Sequence, residues 1–397
     1  METEQQSTKT VGSEGTHATV FTGLSGNEMY CVDMLGYRPG NLLVGNSVFS
    51  MGLLGGFTSG LRSIVGGEVH EFTQMIYEGR RLSLSRLNDE LAQHSGDGAT
   101  SVNSELVFHK GNIEFLSIAS VIHHKDKPGA KQPFTTSADG QELFCQVDAG
   151  FDPTCFVFGN VAYSLGITKG FLGGLKSMAK GEVREYSDIF NTTRHLALER
   201  IMAEAKSVGA NAVVGIRTNI MPFGTSGVQE MMMIGTAAKH AQVAEITNAV
   251  EVITSDLTCE EMWNVTKLGY MPLQLVLGTS VYSIGILGGL KSALQGLVKG
   301  EITEMTQMIY AAREESLKKV QDQATAIGAD DVLGIKTYVY QLGNGLIEFL
   351  ALGTAVKRVK GLGTKSDQLP PQAIIRDKDT FINTAEFSFG VDLNKNS

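Results

Sequence analysis

The chain has 397 residues, 42% of them hydrophobic and 19% charged, and a formal net charge of −9. A chain of that length holds two to four domains, each with enough apolar material for its own core. An acidic balance with basic residues spread thinly argues against nucleic acid as a partner, because nucleic-acid binders carry a clustered basic footprint.

The N-terminus, Met1-Glu-Thr-Glu-Gln-Gln-Ser7, has no positive region followed by an apolar core, so no signal peptide is expected. The first predicted element is a short helix that recurs twice more along the chain. Its start is a capping box: Ser25 with Glu28, Asp139 with Glu142, Thr258 with Glu261. Its stop is a glycine followed by an aromatic residue, Gly36-Tyr37, Gly150-Phe151 and Gly269-Tyr270, and Pro39, Pro153 and Pro272 keep the helix from resuming.

A strand follows over Leu42 to Phe49, Cys155 to Tyr163 and Leu273 to Tyr282. It carries Gly45-Asn-Ser-Val-Phe-Ser-Met-Gly52, Gly159-Asn-Val-Ala-Tyr-Ser-Leu-Gly166 and Gly278-Thr-Ser-Val-Tyr-Ser-Ile-Gly285. Its central glycine predicts a bulge or a close neighbouring backbone. The copies are offset by 114 and then 119 residues, and the same offsets align Gly67-Glu68, Gly181-Glu182 and Gly300-Glu301, and Arg80, Arg194 and Arg313. Separate motifs in one register mark three copies of a module of about 110 residues.

A Gly-rich amphipathic segment comes next and is predicted to be a second helix. In the third copy Leu287, Leu290 and Leu294 share an apolar stripe with Lys291 beside it, a face that would dock on a membrane surface or a protein partner. The apolar stretch from Leu273 to Val298 is not expected to span a membrane, since five glycines and Lys291 interrupt it. The main helix begins just after Gly67, Gly181 or Gly300, and two strands joined by a hairpin close each module, with Gly224–Gly227 and Gly343–Gly345 as loops in the later copies. The expected domains are residues 16–124, 133–240 and 250–358, followed by an extended or docked tail over 359–397.

The pattern of Gly278-Thr-Ser-Val-Tyr282, Gly300-Glu301, Arg313, Gly328-Ala-Asp-Asp-Val-Leu-Gly-Ile335 and Gly353-Thr-Ala355 resembles the YbjQ family, also known as a heavy-metal-binding domain. The second copy carries it as Gly159 to Tyr163, Gly181-Glu182, Arg194, Gly209 to Ile216 and Gly235-Thr-Ala237. In the first copy Gly-Ile and Gly-Thr-Ala become Ser101-Val102 and Ser120-Val121, and the match is weaker. The resemblance implies an α+β fold of three tandem modules. Each would run α-β-α-α-β-β, with a small sheet packed on a long helix, as in dodecin-like folds. It also implies association into rings, typically of five modules, which no whole number of three-module chains supplies. Either three stacked rings form from five chains, or the fusion has changed the ring size, for example to six modules from two chains.

No chemistry for catalysis recurs in the three copies. None of the eight histidines is triplicated and the four cysteines (Cys31, Cys145, Cys155, Cys259) fit neither a disulfide framework nor a CxxC site, so buried thiols in a reducing, cytoplasmic compartment are expected. No transition-metal site and no cofactor is expected, with a divalent metal or small ligand in a ring lumen as the alternative. The triplicated polar signal is Glu68/Glu71, Glu182/Glu185 and Glu301/Glu304, each pair predicted to share a helix face. Arg80, Arg194 and Arg313 lie nine residues beyond the second glutamate, about 13 Å along one helix, so pairing is expected between modules rather than within one. The expected function is that of a non-catalytic, self-associating protein.

Overall fold

The structure, a computed structural model, describes residues 19–50, 67–109, 111–129, 132–164, 181–223, 228–242, 250–283, 303–343, 346–369 and 381–383. Three short helices open the three modules: α1 (Gly26–Met34), α3 (Gly140–Asp148) and α5 (Cys259–Lys267). All three are fixed by the capping boxes predicted from sequence, with the Ser25, Asp139 or Thr258 side chain accepting from the third-residue N–H and the glutamate returning the bond. Each stops at a glycine in the left-handed region, Gly36 at φ +82°, Gly150 at +92° and Gly269 at +84°.

The first long strand then starts at once, as β1 (Tyr37–Ser50), β6 (Asp152–Ser164) and β11 (Tyr270–Ser283). Strand pairing runs past the prolines because each lies at a register shift, where its missing N–H costs no ladder bond. The 24-residue helices α2 (His70–Gln93), α4 (Arg184–Ser207) and α6 (Thr303–Ala326) lie across these strands. The contact is closest at the central glycine. A Cβ on Gly45 would stand 2.1 Å from Ser83 O, and one on Gly159 or Gly278 would be 2.2 or 2.4 Å from Ala197 O or Ser316 O. Close backbone approach, and not a bulge, is what those glycines serve.

The modules close with antiparallel pairs β3 (Gly98–His109) and β4 (Asn112–His124), β8 (Ala212–Phe223) and β9 (Val228–Lys239), and β12 (Asp331–Gly343) and β13 (Leu346–Arg358). In every module the last strand lies in the middle, flanked by the first and second. The predicted loop at 224–227, all but Gly343 of the predicted loop at 343–345, and the predicted second helix, with Leu287, Leu290, Lys291 and Leu294, lie outside the described residues, as does Glu301.

Two features depart from the expectation. The Gly-Glu dipeptides do not begin the long helices: β2 (Gly67–Glu68) and β7 (Gly181–Glu182) are two-residue strands, and the helices start at His70 and Arg184. Glu68 and Glu71 therefore share no helix face, nor do Glu182 and Glu185. The sheets also cross the expected domain boundaries. β2 pairs with β6 and β7 with β11, while β5 (Phe134–Thr135) and β10 (Ile253–Thr254) run parallel to β3 and β8 of the preceding module. The middle module thus lends strand to both neighbours, β5 to the first and β7 to the third, while the first and third each lend one to the middle.

One apolar cluster binds the opening helices together, with Cys31, Val32, Phe144, Cys145, Met262 and Trp263 among its buried members. The tail docks on it: Lys365 N and Ser366 N donate to Asp148 O and Oδ2 at 2.9 and 3.0 Å, and a further strand, β14 (Phe381–Asn383), lies parallel to β12.

Candidate functional site

The recurrent polar construction of the molecule is the joint between consecutive modules, and it occurs twice. In the first joint α2 covers the outer face of β6, burying Phe156, Phe158 and Ala162. In the second α4 covers β11 and buries Leu275, Leu277 and Val281. The backbone leads into both the same way: Val69 N donates to Ala162 O and Val183 N to Val281 O, each at 2.8 Å. A hydroxyl one helical turn on then caps the strand, Thr73 Oγ1 accepting from Ala162 N and Ser187 Oγ from Val281 N, both at 2.9 Å.

Each joint contains a fully buried arginine that crosses the boundary. Arg80 donates to Glu230 Oε2 at 3.0 Å and to Ser104 O and Oγ at 2.9 and 3.0 Å. Arg194 grips both oxygens of Glu348, Nη2 at 2.9 and 2.7 Å and Nε at 3.1 Å, donates to Tyr163 Oη at 2.8 Å, and stacks over the Tyr163 ring. Burial works against the Arg194 charge, but the Glu348 carboxylate together with Tyr163 and Tyr340 more than offsets it and raises the pKa. Desolvating two such charges costs several kcal/mol each, so the pair fixes register more than it adds net stability. The orphaned Arg80 Nε and Glu230 Oε1 fit that balance.

The carboxylates that meet the arginines are therefore Glu230 and Glu348, not the glutamates predicted from sequence. Glu68 does cross the first joint, but to Arg200 at 2.7 Å; Glu182 lies 3.8 Å from Arg184, and Glu71 and Glu185 are exposed. Arg313 is exposed and lies over the Phe349 ring at 5.8 Å. Glu304 falls within α6. A signal for the true partners was present: Ile113-Glu114-Phe-Leu116, Glu230-Met-Met-Met233 and Ile347-Glu348-Phe-Leu350 each set one charge in an apolar strand, five residues before Ala119, Gly235 and Gly353.

Beside the first joint lies an open cleft of about 580 Å³, lined by Glu68, Tyr77, Arg81, Cys155, Arg200 and Glu204 among others. Its charges are matched in pairs, Glu68 with Arg200 and Arg81 with Glu204 at 3.0 Å. Among the described residues no group of three or more His, Cys, Asp or Glu side chains is placed to hold a metal ion. The thiols are chemically unsuited as well. Burial pushes Cys31 and Cys155 up to about 11, Cys145 higher still and Cys259 well above its ordinary value, away from the thiolate a soft metal needs. The described donor set does not fit a heavy-metal site. No helix among the described residues is long and apolar enough to cross a membrane.

A family model described as "Putative heavy-metal-binding" (YbjQ) matches residues 38–112, 153–241 and 265–359. An encapsulin nanocompartment protein of Mycobacterium tuberculosis is 29% identical over 234 residues, which cover 58% of this chain and 87% of that protein. Single-module relatives include UPF0145 proteins of Clostridium novyi, 40% identical over 87 residues (21% of this chain, 80% of the relative), and of Colwellia psychrerythraea, 41% identical over 87 residues (21% and 78%). The chain belongs to the YbjQ family, three copies in tandem.

Proposed function

From three YbjQ modules joined edge to edge, we propose that the protein is a non-catalytic assembly subunit that self-associates into a closed ring in a reducing, cytoplasmic setting. The observation that carries this reading is the joint itself. The same helix-on-sheet contact, with its buried arginine–glutamate pair, is built twice within one chain. A contact that repeats between consecutive modules is heterologous, and heterologous contacts generate rings where the rotation closes. The name of the mycobacterial relative, an encapsulin nanocompartment protein, supports an assembly role. Because consecutive modules of one chain are already neighbours, a ring holds modules in multiples of three, and a ring of five is not built this way.

Native mass spectrometry of the purified chain tests the reading. The expected result is one discrete oligomer, with no bound mass removed by chelator. A monomer over the micromolar range contradicts self-association, and a stoichiometric ion contradicts the ligand-free account.

A further inference from the structure

The two ends of the chain are halves of the joint that the middle makes twice. Positions buried at the joints in modules two and three are open in module one. Leu42 and Val44 stand where Phe156 and Phe158, and Leu275 and Leu277, are covered, and Val48, at 58% exposure, stands where Ala162 and Val281 are fully buried. On α1, Met29 and Tyr30 are exposed at the places of Leu143 and Phe144, and of Met262 and Trp263, which are buried in the cluster that binds the opening helices together. At the other end α6 presents Arg313 to solvent where Arg80 and Arg194 are buried, and Tyr310 is 64% exposed where Tyr77 packs at a tilt against Phe158, with ring centroids 5.3 Å apart.

The polar groups match as well. Glu114 is the repeat counterpart of Glu230 and Glu348: it opposes Val48 across the ladder, as they oppose Ala162 and Val281. In the single chain it accepts from Asn46 Nδ2 at 3.1 Å and meets His109 Nε2 at 2.7 Å. The sheet edges complete the fit. Val20-Phe21, with Phe21 at 74% exposure, occupies the register of β5 and β10, which lie parallel to β3 and β8. The corresponding edge of module three is Asp331-Val332, a site that β14 leaves clear by pairing at Thr337–Val339.

We propose that a second copy of this chain occupies the open face of module one, through a third edition of the internal joint, with Arg313 of one copy paired to Glu114 of the next. α6 of one copy covers β1 of the other, Tyr310 packs on Val44, Val20-Phe21 adds to the edge of β12, and α1 seats against α5. This rests on the self-assembly reading and specifies its contact. The smallest closed ring is two chains and six modules; three chains give nine.

The register also brings one mismatch. Where the first joint has Arg81 on Glu204 and the second His195 near Gln323, the joint between copies places Glu314 near Glu90. Like charges there weaken the intermolecular joint relative to the internal ones, which allows the ring to open while each chain stays intact.

The test is sedimentation velocity and native mass spectrometry on the full chain and its variants. Arg313→Glu and Glu114→Arg each weaken self-association at least about 100-fold, as expected for one partner removed from a buried pair. An equimolar mixture of the two restores oligomer, because the second variant's Arg313 meets the first's Glu114. Glu314→Arg tightens association about 5-fold by reproducing the Arg81–Glu204 contact. Val48→Glu breaks the same joint through its apolar face, and all the altered side chains are exposed or half-exposed in a single chain, so Trp263 fluorescence and circular dichroism stay those of the wild type. A monomeric wild type overturns the assembly reading itself. An oligomer that survives Arg313→Glu, Glu114→Arg and Val48→Glu overturns this joint and leaves assembly standing, and a mixture that stays monomeric overturns the Arg313–Glu114 pairing.

Discussion

The two internal joints share a backbone plan but differ in how firmly the arginine is held. In the first, Arg80 has a single bond to its glutamate and leans on Ser104 of its own module. In the second, Arg194 takes both oxygens of Glu348, with Tyr163 as a third partner, and Thr279 Oγ1 also donates to that carboxylate at 2.9 Å. Phe49 occupies the position of Tyr163 in the first module, so the hydroxyl that completes the second joint has no counterpart in the first. Repetition of a contact preserves its geometry, while its strength is set residue by residue.

The largest expected effect comes from removing the glutamates. Glu348→Ala strands a buried guanidinium and costs about 4 kcal/mol, whereas Glu230→Ala leaves Arg80 its Ser104 bonds and costs about 2 kcal/mol. Urea unfolding followed through Trp263 measures both, and equal losses break the comparison. Next is the pH response, which belongs to the second joint. Burial pushes Glu142 up to about 7, and the nearby Asp139 and Glu260, the latter across the boundary on α5, push the same way while Arg217 opposes. A carboxyl whose folded pKa exceeds its unfolded value costs nothing below pH about 4.5, loses stability as pH rises to about 7, and carries the full cost above that. Glu142→Gln should then stabilise by about 3 kcal/mol at pH 8 and by nothing at pH 4. Thermal melts at the two pH values check this, and a pH-independent gain contradicts it.

Smaller effects sharpen the contrast. Tyr163→Phe removes one acceptor from Arg194 and is expected to cost about 1 kcal/mol, while Phe49→Tyr in the first module would offer Arg80 the acceptor that Tyr163 offers Arg194 and should gain up to about 1 kcal/mol. Ser101 sits at φ +57° where the other modules have Gly215 at +61° and Gly334 at +63°. Ser101→Gly relieves a left-handed non-glycine backbone and should stabilise by about 0.5 to 1 kcal/mol in the same urea assay.

Much of this architecture was legible before any coordinates. The capping boxes, stop glycines and strand glycines are local devices with local causes, so Ser25, Gly36 and Gly45 announce themselves. The YbjQ resemblance rested on motifs that recur in two copies and weaken in the first, where Ser101 and Ser120 replace the pattern. The joint was less legible because it is non-local. Gly67-Glu68 looks like a helix start, and only strand pairing with β6 shows that it leaves its own module. Arg80 was visible as a repeated arginine, but its partner lies 150 residues away in a strand whose single charge is easily taken for a surface residue.

The central claim is that one joint serves both within and between chains, and a paired-cysteine crosslink tests it most directly. Thr73 meets Ala162 within the first joint, and the corresponding positions across copies are Thr306 and Val48. With Thr306→Cys and Val48→Cys in one chain, mild oxidation should give covalent dimers or higher multimers on a non-reducing gel, and neither single variant should. Absence of a crosslink under conditions where the protein is oligomeric, or a crosslink formed only within one chain, would contradict the account.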